Sequence, residues 1–179
     1  MALILPVNNV LPQLGTGVWL APNATVVGDA HLGPGCTVWF NAVVRADVHR
    51  IRIGADTNVQ DGAILHCTYQ RADLVIGNRV SIAHNACVHG CRIDDEVLIG
   101  IGAIVLDGAH VQRHCFIAAG AVVTPGTICH EGGLYAGAPA RRIKDVSPEQ
   151  VQTILATAER YKMYATWYGP AALPTELAP

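Results

Sequence analysis

An aliphatic residue recurs every six positions along most of the chain. The series opens at Leu20 and passes through Val26, Leu32, Val38 and Val44, then resumes at Ile53, Val59 and Leu65. It continues at Ile76, Ile82 and Val88, and ends with Ile93, Ile99, Val105, Val111, Ile117 and Val123. Three irregularities separate these registers: three extra residues between Val44 and Ile53, five extra between Leu65 and Ile76, and one missing between Val88 and Ile93. Four positions after the aliphatic residue the chain places something small, as at Ala24, Ala30, Cys36, Ala42, Thr57, Ala63, Ala86, Ala103, Ala109, Cys115, Ala121 and Thr127. A step of six built from β-branched and small residues predicts a parallel β-helix, whose short strands turn corners and whose coils stack through backbone hydrogen bonds.

The spacing resembles that of hexapeptide-repeat proteins. That resemblance implies a triangular prism with three hexapeptides per turn, coiled left-handed against the usual right-handed crossover. Seventeen hexapeptides then make nearly six coils, roughly 27 Å tall at about 4.8 Å per coil. The expected fold class is all-β: a single-stranded left-handed parallel β-helix over 18–130, after an N-terminal segment at 1–17. GGLYAGAPARRI lies in a Gly/Pro-rich exit loop at 131–146. Residues 147–169 predict a C-terminal α-helix, with Ser147 as N-cap, Pro148 at the first helical position and Gln150 completing a capping box. Its apolar positions Val151, Ile154, Leu155, Ala158, Tyr161 and Ala165 follow helical spacing and suit packing on the prism; 170–179 form a tail.

Composition narrows the partners. The net charge is −2 and the lysines are Lys144 and Lys162 alone, so no basic face is available to neutralise a phosphate backbone, and nucleic acid is excluded. The opening MALILPV lacks a basic region and a cleavage site, and no apolar run approaches the roughly 18 residues of a membrane span; the expected location is the cytoplasm, away from membranes. Six cysteines occur without paired CxxC spacing. Cys36 and Cys115 fill slots otherwise held by alanine, which points to packing rather than chemistry.

Histidine supplies the candidate chemistry. In SIAHNACVHGC, His84 and His89 are five positions apart, which shares a face on neither a strand nor a helix. On the prism the picture changes. Arg45, His66 and His89 each follow the inward aliphatic residue of one face in consecutive coils, and so form one outward column. Two imidazoles about 4.8 Å apart lean together onto one ion, since zinc–nitrogen bonds are about 2.0 Å. His84 lies on the adjacent face above Gln60 and Asp61, where a neighbouring chain around a threefold axis would set it opposite His66 and His89. A three-histidine site with an open fourth position results, as catalytic zinc requires. The residues alone also allow histidines that merely hydrogen-bond across a subunit interface.

Taken together, RADVHRIRIGADTNVQDGAILH, SIAHNACVHGC and LIGIGAIVLDGA resemble the γ-class carbonic anhydrases and their bacterial relatives. The resemblance implies a homotrimer in which His66 and His89 of one subunit and His84 of the next hold zinc. It implies an interface ion-pair network of Arg45, Asp47 and Asp61 near Asn58, with Gln60 on the metal-bound solvent and Tyr135 close to the site. Arg45 and Asp47 would either only join subunits or also orient substrate. Three histidines suit iron(II) or cobalt(II) as well. The implied reaction is reversible hydration of carbon dioxide to bicarbonate by hydroxide, which zinc supplies by lowering the pKa of its water to about 7.

The chain departs from the family at the proton carriers. Well-known members have a glutamate where Val48 stands and another in an acidic loop where this chain reads CTYQRAD. Weak activity is therefore expected, with Asp73, Tyr69 or buffer left to carry the proton. The alternatives are a metal-dependent thioesterase, a hexapeptide-type acyltransferase, and a non-catalytic assembly module stabilised by its metal.

Overall fold

The computed structural model describes residues 1–169. The inward aliphatic residues stack in register from coil to coil: on one face Leu20, Val38, Val59, Ile82, Ile99, Ile117 and Tyr135 pair in sequence as parallel neighbours. All seven are buried. The small residues at one corner, Ala24, Ala42, Ala63, Ala86, Ala103 and Ala121, are 0% exposed; where two walls meet, little room is left for a side chain. From Ala42 onward, the residue before each small one turns the corner with positive φ, as in Asn41, Gly62 and Asn85, a conformation that asparagine and glycine adopt most readily.

The result is a parallel β-solenoid of about seven turns with one C-terminal helix, rather than nearly six. The additional coil comes from both ends. Within 1–17, strands Leu3–Leu5 and Gln13–Leu14 pair parallel with Thr25–Leu32; a tight reversal bridging Val7 and Val10 separates them and hides the six-residue step. Within 131–146, Gly133–Ala136 adds a parallel rung onto Phe116–Ile117, and Arg141–Asp145 returns antiparallel against it. Among the described residues no helix is long and apolar enough to cross a membrane. All six cysteines are free thiols, and burial pushes Cys36 and Cys115 up to about 11, consistent with packing.

Three faces result. The first carries Val43–Ala46, Ile64–His66 and Cys87–His89, the second Ile51–Ile53 and Leu74–Ile76, the third Asn58–Val59 and Ser81–Ile82. Strands Thr25–Leu32 and Val43–Ile53 run continuously around the corner from first face to second. Their register jumps there: Gly28 faces Ala46, but Ala30 faces Ile51, so Asp47–Arg50 bulge outward. A Cβ on Gly28 would lie 2.1 Å from the Ala46 carbonyl oxygen, so only glycine admits this close approach.

The helix spans Pro148–Thr166 with the expected capping box at Ser147 and Gln150. It buries Ile154, Ala158 and Ala165 against the third face, over rungs Thr37–Val38, Asn58–Val59 and Ser81–Ile82. Tyr161 stands edge-on to Trp39, with ring centroids 5.2 Å apart at 86°. At the corner between second and third faces, Glu96 accepts from Arg79 Nε (3.0 Å), Arg113 Nη2 (2.6 Å) and His114 Nε2 (2.7 Å). Burial alone would raise its pKa, but those three partners outweigh it and bring the carboxyl down to about 2.

Replacing Ser147 by alanine is expected to cost the helix about 1 kcal/mol, read as faster amide exchange along 148–166 with solenoid rungs unchanged. Because Glu96 is more acidic folded than unfolded, it contributes stability that is complete above about pH 4.3, the ordinary glutamate pKa, and is lost as pH falls towards 2. Glu96→Gln is expected to flatten that part of the acid stability curve, measured by denaturation at successive pH values.

Candidate metal centre

The first face sets His66 and His89 directly opposite each other in adjacent coils. Their rings tilt together until His66 Nδ1 and His89 Nε2 are 3.1 Å apart. Arg45 precedes them in the coil below, one residue past Val44, which pairs with Leu65. The three breaks in the six-residue step all fall at the corner that follows this column. In successive coils that corner is the Asp47–Arg50 bulge, the loop closed by Thr68 and Ala72, and Gly90. A Cβ on Gly90 would meet Asp107 Oδ1 at 2.6 Å and Ala72 Cβ at 2.9 Å, which keeps the third corner short.

Carboxylates fix the tautomers. Asp47 Oδ1 lies 3.1 Å from His66 Nε2, and Asp107 Oδ1 accepts from His89 Nδ1. Because a carboxylate can only accept, the nitrogen facing it carries the hydrogen. His66 Nδ1 and His89 Nε2 are therefore both bare lone pairs in the neutral rings, pointed at one another. Arg45 Nη1 holds the other oxygen of Asp47 at 2.6 Å, and the Thr68 hydroxyl donates to Asp107. Burial works against both carboxylates, yet hydrogen bonds from Arg45 and His66 lower Asp47, and those from Thr68 and His89 lower Asp107. Burial, reinforced by the Arg45 charge, lowers His66 against the pull of Asp47, which favours the neutral, ligating form.

His84 is built the same way on the third face. Its Nδ1 lies 2.8 Å from Asp61 Oδ2, so Nε2 bears the lone pair, and the Tyr161 hydroxyl of the C-terminal helix lies 3.2 Å from it. Asp61 thus serves His84, while Arg45 and Asp47 serve His66. Beneath His84, the buried Gln60 donates from Nε2 to Asn58 Oδ1 at 3.0 Å, and Asn58 donates to Ser81 Oγ at 2.9 Å. Tyr135 is not brought to this group. It occupies the inward column in register with Ile117, and its hydroxyl accepts from the His130 backbone N–H at 2.7 Å.

Three participants were not singled out by sequence: Thr68, Asp107 and the hydroxyl of Tyr161. Asp107 stands two places after the inward Val105, in the coil above His89, so the repeat itself marks it as a corner carboxylate. Tyr161 carries only its helical spacing, which reads as packing.

The donor set fits a divalent ion. Two ligand nitrogens about 2.05 Å from a tetrahedral ion are separated by about 3.3 Å, close to the 3.1 Å found, and each ring has the carboxylate partner typical of metal-bound imidazole. Among the described residues no three His, Cys, Asp or Glu side chains of one chain converge to hold an ion.

The family model "Bacterial transferase hexapeptide (six repeats)" matches residues 12–46 and 90–125. "Gamma carbonic anhydrase 1, mitochondrial" of Arabidopsis thaliana is 36% identical over 86% of this chain, and the match spans 58% of that protein, a little over half its length. "Probable carbonic anhydrase" of Methanocaldococcus jannaschii is 39% identical, covering 83% of this chain and 93% of its own. A hexapeptide transferase family protein of Anaplasma phagocytophilum superposes with a TM-score of 0.89 at 32% identity, over 93% of this chain and 98% of that one. With the Methanocaldococcus and Anaplasma proteins this similar over nearly their full lengths, and with the repeat architecture that carries the paired histidines, the chain belongs to the γ-class carbonic anhydrase family of hexapeptide-repeat proteins.

Proposed function

We propose that the protein is a metal-dependent carbonic anhydrase that hydrates carbon dioxide reversibly at sites shared between subunits of a homotrimer. The observation that carries this reading is the pair of lone pairs on His66 Nδ1 and His89 Nε2, 3.1 Å apart and each fixed by a carboxylate. Two bare acceptors at that distance repel unless a cation lies between them.

His84 supplies the third nitrogen from a neighbouring subunit, because it sits on a different face of its own prism. The surface beside the histidine column supports association there. Leu3, Thr25, Val43, Ile64, Cys87, Ile104 and Val122 stack in register on the first face, and Ile64 is 46% exposed. A threefold arrangement buries such a stripe and completes the ligand set in one step. Zinc suits three imidazoles; iron(II) and cobalt(II) suit them too. An ion held by His66, His89 and the neighbouring His84 would lower the pKa of bound water to about 7 and so supply hydroxide near neutrality.

The chain's own side chains orient and hold. Asp47, Asp61 and Asp107 hold the hydrogen of each neutral ring on the nitrogen that faces them, leaving the other nitrogen for the ion, and Arg45 anchors Asp47. Gln60, pinned by Asn58 through its amide nitrogen, keeps its carbonyl oxygen as an acceptor for solvent at the site. Proton export is the weak step. Val48 carries no titratable group, Asp73 is engaged by Arg50 at 2.8 Å, and Tyr69 points into solvent with its side chain exposed, so buffer takes the proton.

The wild-type trimer is expected to bind about one ion per chain, and His84→Ala to lose it while remaining trimeric. Elemental analysis alongside a native mass measurement decides; full metal occupancy in His84→Ala would contradict the shared site. Carbon dioxide hydration by the zinc-loaded protein is expected to be slow in a non-accepting buffer and to accelerate with added imidazole. Stopped-flow indicator assays test this, and a rate equal to that of the metal-free control with or without imidazole rejects the activity.

A further inference from the structure

The hydroxyl of Tyr161 lies 3.2 Å from Nε2 of His84, the nitrogen that the shared-site reading assigns to the ion. Asp61 holds the other nitrogen at 2.8 Å, so Nε2 of the neutral ring has a single lone pair. A lone pair that accepts a phenolic hydrogen cannot also bind a cation. A tyrosine hydroxyl carries its hydrogen at neutral pH, so it meets Nε2 as a hydrogen donor and not as a phenolate ligand.

The phenol is also held firmly in place. Its ring lies 5.2 Å from Trp39 and 5.5 Å from Tyr164, on a helix whose Ile154 and Ala158 are fully buried against the prism. Nearby, Lys162 Nζ binds Asp56 Oδ1 at 2.9 Å and ties the same helical turn to a corner of the solenoid.

We propose that Tyr161 is a positioning residue that gates metal loading: its hydroxyl occupies His84 Nε2 in the metal-free protein, and the ion must displace it. Loading therefore exchanges one neutral hydrogen bond for a metal bond, and the C-terminal helix loses one of its polar tethers to the third face as the site fills. In the empty protein the same contact keeps the His84 ring turned as Asp61 sets it. The inference rests on the shared-site reading and adds to it a competition internal to each subunit.

The test is metal affinity in Tyr161→Phe, which keeps the ring against Trp39 and removes only the hydroxyl. Zinc dissociation constants are measured by competition with a chromophoric chelator, on trimers checked by native mass. Removing a competing hydrogen bond is expected to tighten binding about fivefold and to leave the stoichiometry unchanged. Tyr161→Leu, lacking hydroxyl and aromatic ring, serves if the first variant misfolds, and is expected to tighten binding likewise. Affinity equal to or weaker than wild type in the folded variant overturns the gate while leaving the shared site standing. If the wild-type trimer itself takes up no zinc, the shared site and the gate fall together.

Discussion

In-register stacking of parallel coils is the constraint on which the rest depends. Each rung bonds its backbone to the rung above and below, and the spacing of about 4.8 Å is set by those bonds and not by side chains. His66 and His89 sit opposite each other because Val44, Leu65 and Val88 occupy one inward column. A slip of one residue in either coil would turn one imidazole into the core and end the site. The buried aliphatic stack is therefore both the source of stability and the ruler that sets the distance between ligands.

The corners add what the ruler lacks. Insertions at two successive coils place Asp47 and Thr68 beside the imidazoles, and the deletion at the third sets Gly90 against Asp107 of the next, regular coil. The three candidate histidines repeat one arrangement, with a carboxylate on one ring nitrogen and a lone pair on the other. Asp47 is held by Arg45, Asp107 by Thr68, and Asp61 sits beside Gln60. On the proposed reading such a shell would prepare each nitrogen before an ion arrived and lower the reorganisation that binding demands.

Much of this was legible from the period alone. Counting in sixes puts His66 and His89 on one face and His84 on the next, and the capping box announces the helix. Tyr135 shows where resemblance outran counting: continued past Val123, the same step reaches Cys129 and then Tyr135, which marks an inward position, and there the structure places it. The first coil escaped because the reversal at Val7 and Val10 breaks the step. Tyr161 escaped because its partner His84 is 77 residues away and no local pattern encodes that meeting. Asp61 was read as part of an interface network with Arg45 and Asp47; within one subunit it faces His84 at 2.8 Å, a pairing between consecutive coils that the sequence reading did not draw.

The central claim is that each ion is held by His66 and His89 of one subunit and His84 of the next. Subunit mixing tests it most directly. His84→Ala and His66→Ala chains are unfolded and reassembled together, and zinc is measured in the mixed trimers. The account predicts that neither variant alone binds zinc, and that mixed trimers regain it at the interface where an intact His66–His89 pair meets an intact His84. No recovery in verified mixed trimers, or zinc retained by either variant alone, would contradict it.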